Sequence, residues 1–298
     1  MTALRPPFAY YGGKQRMAPK LLQLMPRHTV YVEPFCGGAA LYWLKGMPVV
    51  GSNHDYREVL NDINGDITNF YRVMQDKSQA EELMYRLKWT PYSQDEYRKA
   101  QKHDGDEIEK AWCWIVNQAY GYLNKGYTTG FGTGINGGNL PAEWGTLKTY
   151  LGTNLELYLS RMSSTYITNE DALRCIKRWD SPQTLFYCDP PYVGADQGPY
   201  KGYMQDQLAL LVYTLSECEG SFMLSGYEND APEAAWQRHI FYTNASSANG
   251  KNGSGRGARI EHVWLMDRSA AATPELQPVM DRIITQWRPD FKQGAFSW

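Results

Sequence analysis

The chain has 298 residues, a formal net charge of −2, and 43% apolar and 14% aromatic residues. This content excludes a disordered chain, and the balance excludes a protein that coats polyanions by bulk positive charge, although a local basic patch still suffices for nucleic acid. Neither a membrane-length apolar stretch nor an apolar signal core at residues 1–6 is present, and the five cysteines lack C-x-x-C spacing, which reads as reduced intracellular core thiols.

In chain order, the first element is an arm, Phe8-Ala9-Tyr10-Tyr11-Gly12-Gly13-Lys14. Its glycines permit a tight backbone and Lys14 presents a cation, but the phosphate-loop pattern G-x-x-x-x-G-K-[ST] is missing. A β-branched strand over 30–33 follows. It runs through Glu33, Pro34, Phe35 and Cys36 into Gly37-Gly38-Ala39-Ala40, where a helix is expected to start. Glycines there let backbone approach a ligand closely, and a helix N-terminus offers N–H groups. A second strand, over 59–61, ends in Asp62-Ile63-Asn64. Asp62 is placed to accept from ribose hydroxyls or to cap the helix that starts near Ile63.

Between about 65 and 149 strand-like runs vanish, and helices are predicted over 67–74, 80–87 and 107–120. A polar Gly/Tyr/Asn segment, 120–139, follows. This texture reads as a mainly helical insertion that splits an α/β domain. The division expected is 1–64, 65–149 and 150–298. Within the insertion Tyr120, Tyr122, Asn124, Lys125 and Tyr127 combine rings, amides and a cation suited to phosphates and base edges. Trp112 and Trp114 read as helical core.

A helix is predicted over 150–162, with Leu151, Leu155, Tyr158 and Met162 on one face. A strand over 166–168 leads to Asp171 at a strand end, with helix capping by Asn169 an equal reading of that segment. The apolar strand 185–188 then stops at Asp189-Pro190-Pro191-Tyr192. Pro190 and Pro191 fix their own φ and cannot donate to a ladder, and Asp189 before a proline is biased to extended backbone. A carboxylate, proline-stiffened carbonyls and an aromatic ring therefore project from one strand end. Such a set can hold a planar base by its exocyclic amino group. A helix over 205–216 and strands over 221–225, 240–243 and 263–266 complete the chain, the last two as a plausible antiparallel hairpin. The mobile-looking run 251–259 carries Lys251, Arg256 and Arg259, suited to phosphate contact. Alternating strands and helices imply a layered α/β domain. The histidines do not pair at metal spacing, and there is no G-x-S-x-G elbow.

As an ordered set, the arm with Tyr10 and Lys14, the Glu33-Pro34-Phe35 loop with Gly37, Asp62-Ile63-Asn64 and Asp189-Pro190-Pro191-Tyr192 resemble the Dam-type DNA adenine methyltransferases. Leu224-Ser225-Gly226-Tyr227, and the 246–259 loop followed by Glu261, are similar to later strand ends of that family. The resemblance implies a Rossmann-like class I methyltransferase sheet with helices on both faces and an inserted, mainly helical target-recognition domain. It implies methyl transfer from S-adenosylmethionine, yielding S-adenosylhomocysteine, to N6 of a flipped adenine in double-stranded DNA. Tyr10, Lys14, Glu33, Phe35, Gly37, Asp62 and Asp189 would hold the donor, with Asp189, Pro190, Pro191 and Tyr192 at the reacting base. No metal or membrane is implied, and the location would be cytoplasmic, prokaryotic or phage-encoded. A cytosine amino group, an RNA adenine, or a non-catalytic DNA-binding protein on the same scaffold are the alternatives.

Overall fold

A computed structural model of the chain describes residues 4–10, 12–46, 56–121, 130–132, 141–193, 203–228, 230, 236–244 and 258–271. Its centre is a seven-stranded sheet in the order β3-β2-β1-β4-β5-β7-β6. The strands are β1 Val30–Glu33, β2 Arg57–Asn61, β3 Thr165–Thr168, β4 Thr184–Cys188, β5 Ser221–Gly226, β6 Gln237–Asn244 and β7 Ala258–Met266. β1 to β5 run parallel, while β7 pairs antiparallel with both β5 and β6. This is the layered α/β architecture that the alternation of strands and helices implied, and every expected strand is present.

Alternation along the strands divides the core. Tyr31, Leu60, Leu185, Tyr187, Met223, Val263 and Leu265 point into one apolar cluster. Val30, Val32, Val59, Phe186, Cys188, Phe222, Leu224 and Trp264 point into the other. Successive side chains of a strand face opposite ways, so a sheet covered on both faces needs apolar residues at every central position. The first face is covered by α1 Ala18–Leu22, α2 Ala40–Lys45 and α3 Gly65–Val73, and the second by α9 Ala172–Trp179 and α10 Gln205–Glu217.

Between β2 and β3 lie α3, α4 Lys77–Trp89, α5 Gln94–Ala100, α6 Glu107–Tyr120, α7 Pro141–Thr153 and α8 Leu155–Met162. Side-chain caps start four of them: Asn64 for α3, Asp76 for α4, Ser93 for α5 and Asp106 for α6. Their apolar faces, including Phe70, Leu83, Trp114 and Leu151, share one cluster with Tyr31 and Leu60 of the sheet. Trp112 and Trp114 are buried in α6, as their apolar neighbours suggested. The helix expected over 150–162 is two helices. Asn154 separates α7 from α8, and its side-chain amide donates to the Tyr150 carbonyl at 2.8 Å, competing with the helical backbone.

All five cysteines are buried thiols. Among the described residues no helix is long and apolar enough to cross a membrane, and no cluster of His, Cys, Asp and Glu could hold a metal.

Candidate active site

β1 lies between β2 and β4, the point at which the strand order reverses and where open α/β sheets bind ligands beyond their carboxyl ends. Register brings the motifs to that edge. Glu33 pairs with Leu60, and Val32 with Phe186, so the turn after β1, Asp62 after β2 and Asp189 after β4 lie along one rim. Cys188 pairs with Leu224, which brings the Gly226-Tyr227 end of β5 to the same rim.

The arm reaches this rim through a tight turn. The Gly13 amide donates to the Tyr10 carbonyl at 2.9 Å, and Gly12 in that turn has φ +78°. A positive φ is inexpensive only for glycine. The turn delivers Lys14, 7% exposed, to Asp189, with Nζ 2.8 Å from Oδ1. Burial works against the Lys14 ammonium, but Asp189 and Glu261 outweigh it and hold its pKa above the ordinary lysine value. Lys14 also lies 4.9 Å from the Tyr192 ring centroid. The Tyr192 hydroxyl donates to Glu261 Oε2 at 2.7 Å and, more weakly, to Asp189 Oδ1 at 3.3 Å. Pro190 is buried and Pro191 half-buried, which keeps this corner stiff.

The glycine loop serves a neighbour that sequence reasoning did not foresee. A Cβ on Gly37 would stand 2.9 Å from the Tyr10 ring, and one on Gly38 3.2 Å from the Tyr10 side chain. Close approach at these glycines is therefore to the arm, where a ligand was expected. Gly37 has φ +48°, so Gly37→Ala adds backbone strain to that clash. The variant is expected to lose about 1–3 kcal/mol in urea unfolding and to displace Tyr10. Unchanged stability together with unchanged Tyr10 environment would contradict this reading.

Asp62 and Glu33 brace the loop from within. The Asp62 carboxylate, 3% exposed, accepts from the Gly37 amide through Oδ2 and from the Asn64 amide through Oδ1, each at 2.9 Å. The helix cap itself is Asn64, which accepts from Asp66. Glu33, 2% exposed, accepts through Oε1 from the Tyr31 hydroxyl at 2.7 Å and the Tyr42 amide at 2.9 Å, tying the strand end to α2. Burial pushes its pKa up to about 8. The folded state thus keeps the Glu33 proton that an unfolded glutamate loses near 4.5. Its contribution to stability is full below that lower value and is lost as pH rises toward about 8. Glu33→Gln keeps an acceptor and removes the titration, so thermal stability of the variant should decline less than that of the parent between these limits. Parallel pH profiles for the two would refute the assignment.

Phe35 is half-buried, with its ring 6.4 Å from Tyr203. Ile63, beside Asp62, is 62% exposed at the same rim. One organising residue escaped the sequence reading. Asn61, fully buried, donates to the carbonyls of Pro34 and Glu170 and accepts from the Thr168 hydroxyl and the Glu170 amide. It sews together the ends of β1, β2 and β3. An amide inside an apolar strand was the available signal, since a buried amide needs partners. Asn169 does not cap α9. Its amide donates to the carbonyls of Asp62 and Ile63, and Asp171 is the cap, accepting from Leu173 and Arg174.

The DNA-facing expectations divide. Tyr120 is fully buried at the end of α6, with its hydroxyl donating to the Pro91 carbonyl and its ring packed on Tyr92 and Trp144. It is a core residue, because its apolar helix face turns the ring inward, and the expected DNA contact is corrected accordingly. Tyr122, Asn124, Lys125, Tyr127, Lys251 and Arg256 lie outside the described residues. Arg259 is described only as β7 backbone, paired with Thr243.

The site is thus a rim with the carboxylates of Asp62, Asp189 and Glu261, the buried carboxyl of Glu33, one paired lysine, and aromatic groups from the arm and from the ends of β4 and β5. A family model described as D12 class N6 adenine-specific DNA methyltransferase matches residues 10–230. The DNA N-6-adenine-methyltransferase of Escherichia phage P1 is 25% identical over 193 residues, covering 62% of this chain and 24% of that protein. A Type II methyltransferase of Lactococcus lactis subsp. cremoris is 35% identical over 74 residues, covering 24% of this chain and 23% of its own length. The chain spans about a quarter of the length of these curated relatives.

Proposed function

Because the chain belongs to the D12 class N6 adenine-specific DNA methyltransferase family, we propose that it transfers a methyl group from S-adenosylmethionine to N6 of an adenine in double-stranded DNA. The observation that carries this reading is Asp189 at the carboxyl edge of β4, next to the loop after β1, in the grip of Lys14 and Tyr192. The residues present suit such a donor. The carboxylates of Asp62 and Asp189 favour a cationic sulfonium and ammonium, and exposed Ile63 offers an apolar face to a nucleoside. Tyr10, Lys14, Glu33, Phe35, Gly37, Asp62 and Asp189 would frame it, with Glu33 and Asp62 acting from behind the loop. When bound, the donor supplies an electrophilic methyl on a good leaving group, so no covalent enzyme intermediate is required.

The protein's part is to ready the amino nitrogen. That nitrogen is a poor nucleophile, because its lone pair is delocalised into the ring. Asp189 and the Pro190 carbonyl would accept its two hydrogens and favour a more tetrahedral geometry. Among the described residues, the contacts of Asp189 with Lys14 and Tyr192 fall on Oδ1. Oδ2 is then the oxygen for the base. Positive charge developing on the nitrogen is stabilised by the preorganised carboxylate. The base would have to leave the duplex, at a cost of a few kcal/mol. Stacking on Tyr192 offsets part of that cost.

The test is product analysis. Duplex DNA incubated with methyl-labelled S-adenosylmethionine and the full chain is digested to nucleosides. Label in N6-methyladenosine is expected, and label confined to methylated cytosine, or none in DNA, would overturn the reading.

A further inference from the structure

Glu261 lies in β7, beyond the 10–230 stretch that the family match covers. Gly226 pairs with His262, so Glu261 stands opposite the Tyr227 end of β5 and faces the rim that carries Asp189. Its Oε2 accepts the Tyr192 hydroxyl at 2.7 Å, a charge-assisted bond shorter than the 3.3 Å contact of that hydroxyl with Asp189. The Tyr192 ring has two further neighbours. Tyr227 packs edge-on with centroids 4.9 Å apart, and the Lys14 ammonium lies over the ring, 4.9 Å from its centroid. A tyrosine side chain turns about two torsions, and anchoring the hydroxyl while the ring is hemmed in leaves neither of them loose. The anchor comes from an antiparallel strand, a part of the sheet separate from the strand that carries Tyr192.

We propose that Glu261 is a positioning residue, whose carboxylate sets the orientation of the Tyr192 ring against which the target base is received. The inference rests on the methyl-transfer reading, and its test contains one readout independent of turnover.

That readout is the carbon-13 NMR signal of labelled tyrosine, with Tyr192 assigned by its loss in Tyr192→Phe. Glu261→Ala should move the Tyr192 signal, and an unmoved signal overturns the proposal even if the protein transferred no methyl at all. In turnover, Glu261→Ala should lower kcat by about tenfold to a hundredfold, the scale of a misplaced reacting group, while leaving S-adenosylmethionine binding by calorimetry near the parent value. Glu261→Gln, which keeps an acceptor oxygen, should recover most of that loss. In a Tyr192→Phe background, with no hydroxyl to hold, Glu261→Ala should cost little more. Parent-like kcat in Glu261→Ala, equal losses for Gln and Ala, or an undiminished further loss on top of Tyr192→Phe would each overturn it. A parent protein that methylates nothing instead refutes the methyl-transfer reading and leaves the NMR result to decide the anchor.

Discussion

Asp189→Ala is expected to cut kcat for methyl transfer by at least about 10²–10³, or roughly 3–4 kcal/mol of transition-state stabilisation. The reason is that the carboxylate would act where charge develops, on the amino nitrogen, and water in its place would have to reorganise during the reaction. The substitution also strands Lys14, whose ammonium is 7% exposed and held charged by Asp189 and Glu261. Some stability should be lost with alanine, so activity alone would not separate chemistry from folding. Asp189→Asn provides the separation. It keeps the side chain's size and one oxygen for Lys14 while removing the charge. Single-turnover rates should fall strongly in both variants, whereas thermal unfolding should shift mainly in the alanine one. Near-parent turnover by either variant, measured with labelled donor on duplex DNA, would defeat the role assigned to this carboxylate.

Glu58→Gln is expected to destabilise the fold by about 3–5 kcal/mol, the penalty for leaving buried charges unpaired. Glu58 at the start of β2 is 1% exposed and is bonded to Lys45 of α2 and Arg161 of α8, both also buried. The Arg161 guanidinium gives a second bond to Glu58 at 2.8 Å and stacks 4.0 Å over the Tyr42 ring, and Lys45 donates to the Tyr56 hydroxyl at 2.7 Å. Burial alone would raise the Glu58 pKa, but Arg161 and Lys45 together hold it below the ordinary 4.5. Its contribution is therefore present above 4.5 and is lost as pH falls through the lower folded value. Urea unfolding of parent and variant should show the full gap near neutrality and a narrowing gap in acid. A difference under about 1 kcal/mol at neutral pH, the scale of an exposed pair, would refute a structural role. The cluster also anchors α2, whose N-terminal end is the loop after β1, so the variant should show weaker donor binding.

Much of this architecture could be read before any coordinates. The seven strands were legible because their cores are short β-branched and aromatic runs, and buried parallel strands allow little else. The motif order placed Asp62 and Asp189 at strand ends, and register then set them on one rim. The split at Asn154 was not legible, since Leu151, Leu155, Tyr158 and Met162 keep a helical spacing straight through it. Tyr120 misled for a similar reason. A tyrosine beside a Gly/Asn-rich segment carries the same letters whether its ring faces DNA or the Trp144 side of a core.

By itself the amino-acid sequence determined the α/β class, the order of the motifs and the residue types that can do the chemistry, because periodicity and backbone-restricting residues act locally. Only the tertiary structure decided who touches whom across the rim: Lys14 on Asp189, Tyr10 in the space left by Gly37, and Tyr192 on Glu261. The last pair is separated by 69 positions in the chain. Contacts of that kind arise from strand order and direction, which are set by packing the whole sheet and leave no mark on the spacing of either partner.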